Sequence, residues 1–319
     1  MLKSAAERGR RSWFICHRRE LIAQSVLAFD KIGLNHGVIS AGYPESPRSQ
    51  TQICSIDTLA RRYNKVNRPD LIVWDECHHV SAKSWSKIKS FFGNAFHIGL
   101  TATPWRLDGK GLGDHFDEMI MGPSSEWLID EGYLSPYKMF APAEPDLSGV
   151  HRRMGDYVKS ELSNAMDKPT ITGSAVDEYL QRASGKRCLV FTVSIQHSQH
   201  VVQEYLSRGI KAVHLDGKSD KQFRATVMKK FHEGDIKVIS NCDLFGEGLD
   251  VPGLECVQLL RPTTSLSLYL QQVGRALRPI YSDGYDLSSR EGRVNSIAAE
   301  PKPSALIMDH ANCAAIHGL

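Results

Sequence analysis

Leu71-Ile72-Val73-Trp74-Asp75-Glu76-Cys77-His78-His79 is the stretch that decides the fold. Four apolar residues run straight into two adjacent carboxylates, then a cysteine and two histidines. An unbroken apolar run reads as a strand buried on both faces, the kind found in parallel sheets. In open parallel sheets, ligands bind beyond the carboxyl ends of the strands, which is where Asp75 and Glu76 fall. An Asp-Glu pair by itself also fits a solvated acidic turn. Delivered by a buried strand to a ligand edge, the pair is suited to hold Mg²⁺ and orient a water.

Working outward, strands are expected at residues 12–16, 37–41, 52–55 and 95–100. Helices are expected from 17–20 through Phe29, where Leu21, Ile22, Val26 and Phe29 recur at helical spacing, and again from Ile56 and over 81–92. Strands alternating with helices imply an α/β fold with a doubly wound parallel sheet. Pro136, Pro142 and Pro145 break the pattern and place the end of a first domain near residue 140. Residues 141–183 read as a linker with a helical lead-in over 157–183. A second α/β domain follows over 184–281, with strands at 187–192, 211–215, 237–241 and 255–260. Its helices fall at 196–208, 220–233 and 265–276. Residues 282–319 read as a polar loop with a last short strand at 305–309.

At 319 residues the chain has room for two domains. A net charge of +3 permits a nucleic-acid partner without demanding one. Cys16, Cys54, Cys77, Cys188, Cys242, Cys256 and Cys313 form no C-x-x-C pair. That speaks against a zinc site or a disulfide framework and for a reducing, cytoplasmic setting. No apolar run reaches membrane-spanning length, and no apolar core follows the charged N-terminus as in a signal peptide.

The motifs resemble those of superfamily 2 helicases. Asp75-Glu76-Cys77-His78 looks like the DECH form of the DEAD/DEAH box, and Thr101-Ala102-Thr103 looks like motif III. Gly246-Glu247-Gly248-Leu249-Asp250-Val251-Pro252 looks like motif V. Gln271-Gln272-Val273-Gly274-Arg275-Ala276-Leu277-Arg278 matches the Q-x-x-G-R-x-x-R of motif VI. Each alone is a weak signal; four in order cover nearly the whole chain. His17-Arg18-Arg19-Glu20-Leu21 and the stretch after Thr103 are similar to bacterial and phage members related to restriction-type translocases.

The resemblance implies two tandem RecA-like domains that use ATP and Mg²⁺. It implies that Asp75 holds the metal, that Glu76 positions the attacking water, and that His78 relays the nucleotide state, with Thr101 and Thr103 coupling it onward. Arg275 and Arg278, three apart on one helix, would stabilise phosphate charge across an interdomain cleft. Gly248, Asp250 and Gln271 would line the nucleotide site. Nucleic acid, DNA rather than RNA, would meet Arg18 and Arg19 of motif Ia and Ser55 and Thr58 of motif Ib. Thr192 of motif IV and Thr264 would meet it from the second domain. Hydroxyls, backbone amides and helix N-termini suit sequence-independent phosphate contact.

One part is missing. The sequence contains no G-x-x-x-x-G-K-[ST], the loop whose amides and lysine cradle the phosphates. Lys110 follows a glycine but lies after motif III and lacks the Ser/Thr. Met1 is expected to fall inside the helix that normally follows that loop, as in an N-terminally truncated form. Loss of the loop's strand would then leave a gap inside the first sheet. Three readings remain open. The first is an ATP-dependent helicase or translocase with impaired turnover. The second is a nucleic-acid-binding subunit whose phosphate loop comes from a partner polypeptide. The third is the translocating part of a restriction-type complex.

Overall fold

The computed structural model describes residues 1–319 except 45, 47, 81, 103–110, 143, 154, 245–250, 252, 301 and 319, and the side chain of residue 20. Two compact units, Met1–Ile120 and Met121–Leu319, make up the chain.

The first unit runs α1 (Leu2–Glu7), β1 (Ser12–Cys16), α2 (Arg19–Lys31), β2 (Gly37–Ile39), β3 (Thr51–Ser55), α3 (Ile56–Arg62), β4 (Leu71–Trp74), α4 (Lys83–Phe91) and β5 (Phe96–Gly99). All strand pairs are parallel, in the order β2-β3-β1-β4-β5. As its sequence requires, β4 is buried over Ile72, Val73 and Trp74, with β1 on one side and β5 on the other. Trp13, Ile15, Trp74, Trp85 and Ile88 centre one face of the core. Trp74 stacks on Trp85 at 5.4 Å, and its buried indole N–H is satisfied by His97 Nδ1 at 3.0 Å.

The second unit runs α5 (Ser125–Asp130), β6 (Tyr137–Phe140), β7 (Arg152–Arg153), β8 (Asp156–Tyr157), α6 (Lys159–Met166), α7 (Pro169–Arg182), β9 (Cys188–Phe191), α8 (Ile195–Ser207), β10 (Ala212–Asp216), α9 (Lys221–His232), β11 (Val238–Cys242), β12 (Cys256–Leu259), α10 (Leu266–Ala276), α11 (Arg290–Ala299), β13 (Ala305–Asp309) and α12 (Cys313–His317). Its main sheet is parallel, in the order β10-β11-β9-β12-β13-β6. The helix starts are set by capping side chains: Ser194 for α8, Asp220 for α9, Ser265 for α10 and Ser289 for α11 each accept a first-turn amide. Proline at the first position of α7 splits the single helix expected over 157–183 into α6 and α7. Among the described residues no helix is long and apolar enough to cross a membrane.

Two expectations need correction. The boundary near 140 moves to 120, because β6 pairs with β13 and so belongs to the second sheet. The first sheet has no internal gap: β1, β3 and β4 are contiguous, and the open position lies at the β5 edge. The second sheet explains why. Numbering strands from β1 and from β9, both sheets read second-third-first-fourth-fifth. In the second unit β6, which precedes β9 in the chain, adds beyond the fifth strand. The first unit has no strand at that place among its described residues. β13, flanked on both sides, is buried throughout, whereas β5 leaves Phe96 81% exposed.

Candidate nucleotide site and nucleic-acid surface

Register brings the first unit's motif residues together. Ile15 lies opposite Trp74, Cys16 opposite Ser55 and Trp74 opposite Gly99. The residues that follow these strands, His17, Ile56, Asp75 and Leu100, therefore leave the sheet at one carboxyl edge. Asp75 is half-buried and donates its amide to Ile15 O at 2.9 Å. Glu76 sits at φ 52° and ψ 52°, in the left-handed region that a non-glycine residue seldom occupies. That backbone turns the chain sharply out of β4 and aims the Glu76 carboxylate back toward the His78 ring, 3.4 Å from Nδ1. His78 Nδ1 also meets Thr101 Oγ1 at 3.1 Å. The Cys77 amide donates to Leu100 O and the Leu100 amide to Trp74 O, so the acidic turn and the end of β5 are tied through backbone and side chain alike.

The turn is packed as tightly as it is bonded. A Cβ on Gly99 would lie 2.6 Å from Cys77 Sγ and 2.7 Å from Phe116 Cζ, closer than atoms approach. Burial, with Glu76 and Asp75 beside it, pushes the Cys77 thiol up to about 11, so it is a neutral filler. His17 and His79 pack ring to ring at 5.0 Å, and His79 and His78 at 4.2 Å. Among the described residues no group of three or more His, Cys, Asp or Glu side chains is placed to hold a metal. A half-buried carboxylate at a strand end nevertheless fits Mg²⁺, which takes one or two protein oxygens and completes its shell from phosphates and water.

In the second unit Phe191 lies opposite both Asn241 and Leu259, which brings Thr192, Asp243 and Arg261 to that sheet's carboxyl edge. Among the described residues Asp243 is the other acid in a left-handed turn, at φ 54°. It pairs with Arg261 and with Lys159 at 2.5 Å. Burial alone would raise the Asp243 carboxyl; Arg261 and Lys159 outweigh that and hold it below the usual range.

Residues 1–106 match the family described as type III restriction enzyme, res subunit. Residues 172–279 match the helicase conserved C-terminal domain. The "51.5 kDa protein" of a Lactococcus phage is 39% identical over 86% of this chain and 58% of its own length. A Saccharomyces cerevisiae protein provisionally named ATP-dependent helicase IRC3 is 31% identical over 84% of this chain and 41% of its own. The chain belongs to the superfamily 2 helicases. It is related to the restriction-type translocases of that superfamily. The chain thus spans about half the length of these curated relatives. In fold it is similar to a fragment provisionally assigned to the HsdR subunit of a type I restriction enzyme from Vibrio vulnificus YJ016. The TM-score is 0.68 at 21% identity, over 96% of this chain and 53% of that one.

Glu76, His78 and Thr101 form one bonded cluster, and Asp75 stands next to it with its amide bonded to Ile15 O; Thr103, Gly248 and Asp250 lie outside the described residues. Gln271 is half-buried on α10 and reaches Ser267 Oγ at 3.4 Å. Arg275 and Arg278 do not share a helix face: α10 ends at Ala276, Arg275 is buried and Arg278 is exposed beyond the end. Arg18 is the N-cap residue of α2, with Nε 3.2 Å from His17 Nε2, and Arg19 is exposed. Thr58 is half-buried on α3, whose N-cap Ser55 is buried.

Two of the expected phosphate ligands are already engaged. Thr192 is buried and donates its hydroxyl to Asn241 O at 2.8 Å, so it ties strand ends together. Thr264 donates its hydroxyl to Gly155 O at 2.9 Å and its amide to Asp156 Oδ1 at 2.9 Å. Sequence reading placed Arg261 at the strand end beside Thr264 but missed Asp156 and Lys302. Lys302, only 2% exposed, donates to Ala276 O at 2.6 Å and Arg278 O at 2.7 Å. It thereby satisfies carbonyls at the end of the arginine helix. Burial pushes its amine down to about 8.

Proposed function

We propose that this protein is an ATP-dependent helicase or translocase acting on DNA. Asp75 takes the Mg²⁺ and Glu76 orients the attacking water. Arg275 and Arg278 stabilise the developing phosphate charge, with Gly248, Asp250 and Gln271 as further nucleotide contacts. His78 and Thr101 pass the state of the acidic turn to the end of β5, and Thr103 would carry it on. DNA rather than RNA is read from the restriction-type character of the match over residues 1–106. Arg18, Arg19 and Thr58 are its expected contacts in the first unit.

The observation that carries this reading is the strained, bonded acidic turn. A left-handed glutamate costs free energy, and its position is over-determined by His78, Thr101 and Leu100. Strain held in this way at the carboxyl end of a central strand is what positioning a water demands.

A second reading is favoured by the open edge of β5. The second sheet carries β6 at the corresponding place, so a parallel strand bearing the phosphate loop would add beside β5, supplied by a partner polypeptide. The chain alone then turns ATP over poorly. ATP hydrolysis measured with and without DNA tests this: robust DNA-stimulated turnover by these 319 residues overturns the impairment.

A further inference from the structure

The hairpin formed by β7 and β8 is built from strands of two residues each, too short to stand alone in water. It is pinned instead by its own acid. Asp156 accepts from Thr263 Oγ1 at 3.0 Å and the Thr264 amide at 2.9 Å, and lies 3.9 Å from Arg261. Gly155 O accepts from Thr264 Oγ1 at 2.9 Å. Thr263, Thr264 and Arg261 directly follow β12, so the hairpin is clamped to the carboxyl edge of the sheet, where ligands bind in open α/β folds.

What the clamp presents is basic. Arg152 and Arg153 are both exposed, and among the described residues neither pairs with a carboxylate. Asp156 is turned inward to the threonines, and Glu161 is taken by His151 at 3.1 Å. Arg152 lies over the Tyr157 ring at 5.2 Å and reaches its hydroxyl at 3.4 Å, so its guanidinium is held in place rather than free in solvent. Lys159, which opens α6, is neutralised by Asp243 and adds no free charge to the hairpin.

We propose that this hairpin is a nucleic-acid contact of the second unit, with Arg152 and Arg153 as phosphate ligands. Thr264, expected to touch phosphate itself, instead serves as the hairpin's anchor. The chemistry is sequence-independent: two guanidiniums matched to the phosphate oxygens of one strand. The proposal rests on the nucleic-acid reading above but not on ATP hydrolysis, so a chain that turns over no ATP still tests it.

The test is salt-dependent binding of fluorescent single-stranded and duplex DNA by the full chain, wild type and R152A/R153A. Two lost phosphate contacts lower the slope of log K against log salt by about 1.8 on duplex and about 1.4 on single strands. Affinity falls about tenfold at moderate salt. A charge-matched control, K229A/K230A, removes two exposed lysines at the far end of α9 and leaves the slope unchanged. Both pairs are exposed, so melting curves should match the wild type. An unchanged slope in R152A/R153A, or an equal fall in the control, overturns the hairpin contact alone. A wild-type chain that binds neither DNA overturns the nucleic-acid reading and the hairpin with it.

Discussion

Replacing Glu76 by asparagine should make the first unit more stable than replacing it by glutamine. Both substitutions remove the charge, and glutamine keeps the size and shape of the glutamate. They differ in what they ask of the backbone, held at φ 52°. A left-handed conformation costs an ordinary L-residue about 1–2 kcal/mol; asparagine adopts it far more readily because its short amide bonds locally. E76N should therefore exceed E76Q by roughly 1 kcal/mol. With a urea dependence of about 2 kcal/mol per molar, that is a midpoint shift of about 0.5 M. Trp13, Trp74 and Trp85 are buried in this unit, so tryptophan fluorescence during urea unfolding follows it. If E76N unfolds at the same urea concentration as E76Q, or earlier, no strain is stored at Glu76. The acidic turn is then relaxed, and strain plays no part in placing Glu76.

The other expectations concern packing, pH and the same site. Gly99→Ala forces a methyl against Cys77 and Phe116; it should cost about 1–3 kcal/mol, and a wild-type urea midpoint would contradict the packing described. Burial pushes His197 and His310 from 6.5 down to about 4. Their contribution is complete above pH 6.5 and is lost as pH falls toward 4, because the unfolded chain binds the protons first. The second unit should lose on the order of 3 kcal/mol per histidine over that window, and a pH-stability profile of H197L/H310L that parallels the wild type would refute this. Lys302 works in a higher window. Its folded amine titrates near 8, so stability should rise from pH 8 toward 10, and K302M should lack that rise.

The fold was legible because its strands are buried on both faces. Apolar runs such as Leu71–Trp74 and residues 188–191 leave little choice but a parallel sheet, and the helices between them follow within a residue or two. The acidic turn was equally legible, since Asp75 and Glu76 sit where the strand must end. What escaped were facts of long range. β6 precedes an irregular stretch rich in proline, and only its pairing with β13 shows that it belongs to the second sheet. The shared strand order of the two sheets, which puts the open position at an edge and not in a gap, is invisible without the pairing. Spacing put Arg275 and Arg278 on one helix face, but the helix stops between them. Thr192 and Thr264 have the chemistry of phosphate ligands, and only their hydrogen bonds show that it is already spent within the fold. Lys302 gave one signal that could have been read, a lysine between two prolines just before a buried strand.

On the proposed reading, Asp75 and Glu76 are half of an ATPase site whose phosphate cradle adds beside β5. The direct measurement is DNA-stimulated ATP turnover by this chain alone and co-expressed with a strand-loop segment bearing G-x-x-x-x-G-K-T, each beside its Glu76→Gln variant. The account predicts background turnover by the chain alone, turnover restored by the segment, and its loss again in E76Q. Robust turnover by the chain alone would contradict the added cradle, and turnover that survives E76Q would contradict the role of Glu76.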